Sequence, residues 1–306
     1  MKVLFALIII LLIQNGVFAQ RESTQDFFNY YSVNKNYSTL LIAPGTMGPN
    51  ALPIPDILNG QVGTDSQFKV SIDNYFRDGG GDNGHTLRLD FRFPVVQNFM
   101  AFGLQWNLVD YFHTTNEVRD VIQLYKDDPG WTTDLGDIIL STYIQLTREK
   151  HNVPAIMLVS ALKTTSGSIF DGRYTDLPAH WHYASFGKKL LLRNQFQWQL
   201  NAMLGYYFWQ TNQTDLEQNE GPLWGIESQF NYQKLEFAVG TSGYKGWKYY
   251  GKDRPVQLKT RVILKNKTFN YFAEYKTGLR DYFYSSINVG INYHPLSPFK
   301  LARSQK

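Results

Sequence analysis

The 306-residue chain contains no cysteine. That excludes a disulfide framework and a lipid-anchored N-terminal cysteine. Beyond the extreme N-terminus it also lacks long apolar runs, and no later segment approaches the roughly 18 residues that a spanning helix needs. Excess charge of one sign is equally scarce. The 30 Lys+Arg and 26 Asp+Glu leave a net +4 with no basic run, so nucleic acid is not an expected partner. No nucleotide-binding, energy-coupling or cofactor motif is recognisable, so no cofactor is expected and any solute movement would be passive.

What is present begins with an export signal. Met1-Lys2 is a short basic start, Val3 to Ile13 is apolar, and Val17-Phe18-Ala19 is a small-x-Ala cleavage site. Residues 1–19 therefore read as a secretory signal peptide, too short in its apolar part to be a good membrane span. Aromatic residues make up 16% of the chain, with 20 Tyr and 7 Trp. A mildly polar chain rich in aromatics suits a β-barrel, in which half of the strand residues face water.

The stretch Gln195 to Phe208 carries the pattern most clearly. Phe196, Trp198, Leu200, Ala202, Leu204, Tyr206 and Phe208 alternate with Gln195, Gln197, Gln199, Asn201 and Gly205. A strand sends successive side chains to opposite faces, so one face is apolar and the other largely amide. A soluble sandwich would give the same alternation with its apolar face on a core. The connections separate the two. Long segments at 77–84, 111–132, 164–178, 210–221 and 243–255 alternate with short turns at 94–97, 149–152, 233–234 and 266–267. Short periplasmic turns and long extracellular loops are the asymmetry of an outer-membrane barrel. The expected fold is all-β, a transmembrane antiparallel up-and-down barrel of about twelve strands over residues 66–294. Tyr293 is the candidate terminal aromatic for the barrel-assembly machinery, and residues 295–306 form a periplasmic tail.

Residues 20–65 do not read as regular structure. Ala43-Pro44-Gly45-Thr46-Met47-Gly48-Pro49-Asn50 and Leu52-Pro53-Ile54-Pro55-Asp56 are turn and breaker sequences. The segment is either a plug entering the barrel or an arm along the periplasmic rim.

Strand parity assigns an inward set of Lys69, Asp73, Arg88, Asp90, Arg92, Glu227, Lys259, Arg261, Glu274 and Lys276. Charges of both signs would pair across the lumen or line a selective path. Gly103, Gly205, Gly225, Gly240 and Gly290 fit close packing or bends at barrel positions. Enzymes also occur on such barrels and need a nucleophile beside a base. The cluster His180-Trp181-His182-Tyr183-Ala184-Ser185 is the weak candidate for an outer-membrane lipid hydrolase, but Ser185 falls on the face opposite His182. A histidine and aromatic girdle is the competing reading. Asp127, Asp128, Asp134 and Asp137 match no defined calcium loop, so no metal is expected. Asn212-Gln213-Thr214 fits a glycosylation acceptor that a bacterial barrel would not use.

Asp134-Leu135-Gly136-Asp137-Ile138 leads into a strand. Val153-Pro154-Ala155-Ile156 opens the return strand, and Leu162-Lys163-Thr164-Thr165-Ser166-Gly167 ends it. Together these resemble the outer-membrane family labelled for the meta-pathway of phenol degradation. The resemblance implies a barrel transporter for small, often aromatic, molecules and supplies no catalytic residue. The expected function is passive passage of small solutes, apolar or aromatic ones among them, across the outer membrane of a Gram-negative bacterium. The partners would be membrane lipid and the solute, and Tyr244, Trp247, Tyr249 and Tyr250 would form an aromatic outer loop. A lipid-modifying hydrolase or a non-conducting structural barrel are the alternatives.

Overall fold

The structure, a computed structural model, describes residues 42–122, 128–168, 171–213, 216–247 and 252–295. The signal peptide, residues 20–41 of the N-terminal segment, Asp127, Thr214, Tyr249, Tyr250 and the tail from 296 lie outside the described residues.

The chain forms one antiparallel sheet of thirteen strands that closes on itself. In chain order they are β1 (Gln67–Arg77), β2 (Asp82–Val96), β3 (Met100–Thr114), β4 (Thr132–Asp134), β5 (Ile138–Thr147), β6 (Ala155–Lys163) and β7 (Ala179–Arg193). They continue with β8 (Phe196–Gln213), β9 (Leu216–Tyr232), β10 (Leu235–Tyr244), β11 (Val256–Leu264), β12 (Phe269–Arg280) and β13 (Tyr284–Tyr293). Consecutive strands pair, β4 and β5 excepted, and β1 pairs with β13 from Phe68↔Tyr293 to Arg77↔Tyr284. β4 and β5 share one stave: both pair with β3, the first with Asp110–Phe112 and the second with Met100–Trp106. The result is a closed twelve-stave barrel with one interrupted stave. Closure is what the backbone demands, because an unpaired N–H or C=O in hydrocarbon costs several kcal/mol.

The two faces divide as the alternation requires. Ile72, Phe91, Leu104, Leu140, Leu158, Leu204, Ile226, Val262, Ile287 and Val289 point outward and are exposed. A continuous apolar band of this kind is a lipid-facing surface. Aromatic contacts gather at both ends of the band. Phe196–Phe230, Phe230–Phe237 and Phe269–Tyr293 lie on the short-turn side, and Tyr111–Trp131 and His180–Phe208 on the other. The tight turns use residues able to take positive φ, namely Asn98, Asn194 and Gln233.

Three features differ from the sequence expectation. The segment 210–221 is not a loop: β8 and β9 run on to Gln213 and from Leu216 as a hairpin. Alternating polar residues hid it, since above the lipid neither strand face need be apolar. The segment 111–132 holds the end of β3, a short helix α1 (Asn116–Val121) and β4. Finally, Leu87 pairs with Val109 and Arg88 with Asn107, so Leu108 is an extra, bulged residue. The bulge reverses the parity of the rest of β3 and turns Asp110, Phe112 and Thr114 inward, where all three are buried.

Candidate functional site

The barrel interior is filled from the N-terminal side. Ile42, Leu52, Ile54, Ile57 and Val62 are buried against Met157, Val159, Trp181, Tyr183, Met203, Tyr207 and Leu223 on the inner wall of β6–β9. Residues 42–64 thus run within the lumen, and the Pro- and Gly-rich segment finds backbone partners on the wall. Trp209 Nε1 donates to the Ile42 carbonyl (3.2 Å), Tyr244 to that of Leu52 (2.9 Å) and Tyr183 to that of Asp56 (3.2 Å). Ser185 Oγ donates to the Leu58 carbonyl at 2.8 Å and accepts from the Gly60 N–H at 3.2 Å. Gln145 accepts from Val62 N–H (2.8 Å) and donates to the Gly60 carbonyl (2.7 Å). Gly60 has φ +72°, and a Cβ there would sit 2.5 Å from the Ala155 carbonyl oxygen, so the closest approach requires glycine.

The opposite wall is charged. Lys276 lies 3.5 Å from Asp73 and 3.3 Å from Glu274, Lys259 lies 3.5 Å from Glu274, and Lys69 lies 3.9 Å from Asp90. Arg261 bridges Glu227 and Glu236, each at 3.5 Å. Arg88 donates to the side-chain oxygens of Asn107 (3.0 Å) and Asn50 (3.3 Å). The arm joins this wall through Asp56, which pairs with Lys259. Burial works to raise the Asp56 carboxyl, but Lys259, with Lys69 and Lys276 behind it, outweighs burial and holds it well below the usual carboxylate range. Its side chain nevertheless remains 51% accessible, because it borders a cavity.

All ten sequence-assigned lumen residues are therefore on the inward face, and the structure joins nine of them into this wall. Arg92 stands apart. Its guanidinium lies over the Tyr143 ring, 4.2 Å from the centroid, and donates to the backbone carbonyls of Gln61 (3.1 Å) and Val62 (3.3 Å).

Between the two walls lies a cavity of about 320 Å³. Pro53, Val159, Trp181, Tyr183 and Tyr143 form its apolar and aromatic side. Its other side carries Lys69, Arg88, Arg92, Arg261 and Lys276 against Asp56, Asp73, Asp90 and Glu274. Alternation alone does not single out the aromatic side: Tyr183 falls within the His180–Ser185 cluster, and β6 is apolar on both faces.

A second inward-folded segment covers the long-loop end. Arg173 and Tyr174 are fully buried. Arg173 pairs with Asp82 and donates to Thr114 Oγ1 (2.6 Å), and Tyr174 donates to Asp110 (3.2 Å). Asp110 also accepts from Tyr75 (2.8 Å) and Thr86 (3.1 Å), so the bulge in β3 is what supplies this acceptor. Tyr244, expected in an exposed loop, is likewise buried, stacked on Tyr207 at 4.1 Å. Trp247 is exposed.

The hydrolase candidates do not assemble. Ser185 points inward and binds the arm, whereas His180 and His182 point outward, 3.1 Å from one another, against Phe208. The strand itself keeps this serine and these histidines on opposite sides of the wall. The acidic residues are separate too: Asp128 meets His113 (2.8 Å) while Asp137 meets Lys163 (2.6 Å). Among the described residues no cluster fit to hold a metal is found.

No protein-family model matches the chain, and neither does any curated protein sequence. Solved structures do. The COG4313 outer-membrane channel from Pseudomonas putida F1 is similar at 10% identity, with 80% of this chain and 98% of that chain covered and a TM-score of 0.52. The KdgM porin gives 11% identity, 74% and 98% coverage and a TM-score of 0.43. The CymD monoaromatic hydrocarbon channel gives 10%, 76% and 88%, and 0.37. At such identities the likeness is one of fold. The closed sheet, its outward apolar band and the fold shared with the COG4313 channel agree that this chain is a transmembrane β-barrel of the outer-membrane type.

Proposed function

We propose that the barrel is a passive outer-membrane channel for small solutes, with aromatic and apolar molecules as its main class. It would sit in the outer membrane of a Gram-negative bacterium, its apolar band in contact with lipid. The observation that carries this reading is the two-sided cavity. A small ring can lie against Tyr143, Trp181 and Tyr183 while its polar substituent meets the facing charges. A barrel serving only as scaffold would have no need of an open space between unlike walls. Residues 42–64 act as a resident plug, held by backbone hydrogen bonds and one ion pair, so that passage is narrow until the plug shifts.

Solute-dependent swelling of liposomes containing the refolded chain tests this. Small phenols are expected to enter faster than sugars of similar mass, and removal of residues 20–65 is expected to raise entry of both. A folded, heat-modifiable barrel that passes nothing, even without residues 20–65, would overturn the proposal in favour of a structural barrel.

A further inference from the structure

Arg92 has no carboxylate to pair with, and the cavity around it is built for a ring. Each other cation on the cavity wall is compensated. Lys69 and Lys276 have carboxylates within 4 Å, and so does Arg261. Arg88 is satisfied by two amide oxygens. Arg92 makes no ion pair among the described residues. One nitrogen, NH2, meets two backbone carbonyls of the arm, and its buried Nε has no hydrogen-bond partner. Among the cations that line the cavity, Arg92 is the one met by neither a carboxylate nor an amide side-chain oxygen. A guanidinium taken from water and left without an anion is costly, and a carboxylate is the group whose two oxygens match its donors.

The aromatic surroundings are equally specific. Gly103, the β3 partner of Arg92, leaves room for the Tyr143 ring, since a Cβ there would lie 2.9 Å from Tyr143 Cε2. That ring carries the guanidinium on its face, and Tyr183, Trp181 and Val159 continue the apolar wall into the same cavity. A cavity of about 320 Å³ is at the small end of ligand pockets, enough for a single substituted ring.

We infer that Arg92, with Tyr143, Tyr183 and Trp181, forms a binding site for an aromatic monocarboxylate. The carboxylate takes the open donors of Arg92 and the ring packs on the aromatic wall. This rests on the channel reading and narrows its substrate class: the unpaired guanidinium of Arg92 favours a monoanion over a neutral phenol or an amine.

The test is direct binding to the refolded full chain in detergent, by calorimetry and by saturation-transfer NMR, with benzoate, benzyl alcohol, benzylamine and acetate. Benzoate is expected to bind about tenfold or more tighter than benzyl alcohol and acetate, the scale of a charge-assisted pair. Benzylamine is expected not to bind. Arg92→Gln is expected to abolish the preference for benzoate, and Arg92→Lys to keep part of it. Equal binding of benzoate and benzyl alcohol by the unmodified chain, which requires no variant to fold, would overturn the inference. So would an undiminished preference in a heat-modifiable Arg92→Gln barrel. Liposome swelling separates the two proposals. Benzoate that binds but never permeates would sink the channel and leave the site, whereas permeation with no benzoate preference in binding would sink the site alone.

Discussion

Lys163 Nζ donates to the Asp137 carboxylate at 2.6 Å, and both side chains are buried. The pair ties the end of β6 to the break between β4 and β5, where Gly167 N–H also donates to Asp137 (2.7 Å). Lys163 further donates to Thr175 Oγ1 at 3.1 Å, so one ammonium holds the interrupted stave and the inward-folded loop together. Lys163→Met would leave a buried carboxylate without its cation, a change expected to cost about 3 to 5 kcal/mol. Urea midpoints of the heat-modifiable form in vesicles would measure it. The double change with Asp137→Leu should recover part of the loss, because no charge is then stranded.

Asp56 gives the pH dependence of plug docking. Its folded pKa is depressed, so its contribution is fully present above the ordinary carboxylate value near 3.8 and is lost as pH falls through the lower, folded value. Protease access to residues 42–64 is thus expected to be constant between about pH 5 and 8 and to rise only in more acidic medium. Asp56→Asn should give the acid-state accessibility at neutral pH. Equal access in the variant and the unmodified barrel at neutral pH would show that the ion pair contributes nothing.

The two faces of β8 should respond oppositely to a new charge. Leu204 is 64% exposed on the lipid side, between Trp198 and Phe208. Leu204→Arg is expected to cost about 2 to 4 kcal/mol near the membrane midplane. Gln197→Lys, facing the polar mouth beside Asn59 and Gln229, should fold with a midpoint close to that of the unmodified barrel.

Ser185 and His182 distinguish an anchor from a catalytic pair. Ser185→Ala removes the bridge to Leu58 and Gly60, about 1 kcal/mol, and should raise protease access to the arm roughly fivefold. His182→Ala should leave access unchanged. Phospholipid hydrolysis by the refolded barrel that disappears in both variants would instead restore the hydrolase reading.

Strand alternation and turn spacing made the barrel legible, because in lipid each strand must show one apolar face and each backbone group must be paired. The inward charges were legible by the same parity. The parity argument failed where its premise failed: at the Leu108 bulge, which no residue type announces, and in the β8–β9 hairpin above the lipid. It also missed the aromatic wall, since β6 is apolar on both faces and only one of them meets lipid. The resembling segments Asp134–Ile138 and Leu162–Gly167 fall at the interrupted stave and its Asp137–Lys163 pair, a contact that strand parity alone did not bring together.

By itself, then, the sequence determined the closed antiparallel wall and, where the strands run without a bulge and alternate in polarity, which side chains face inward, since both follow from a period of two in a medium without water. The tertiary structure alone decided what occupies the inside. Whether residues 42–64 enter the lumen, which cation stays unpaired and where Tyr143 lies depend on contacts such as Ser185 to Leu58, separated by 127 positions in the chain. Contacts at that range leave no periodic trace, because they are set by the volume and hydrogen bonds available after the barrel has closed.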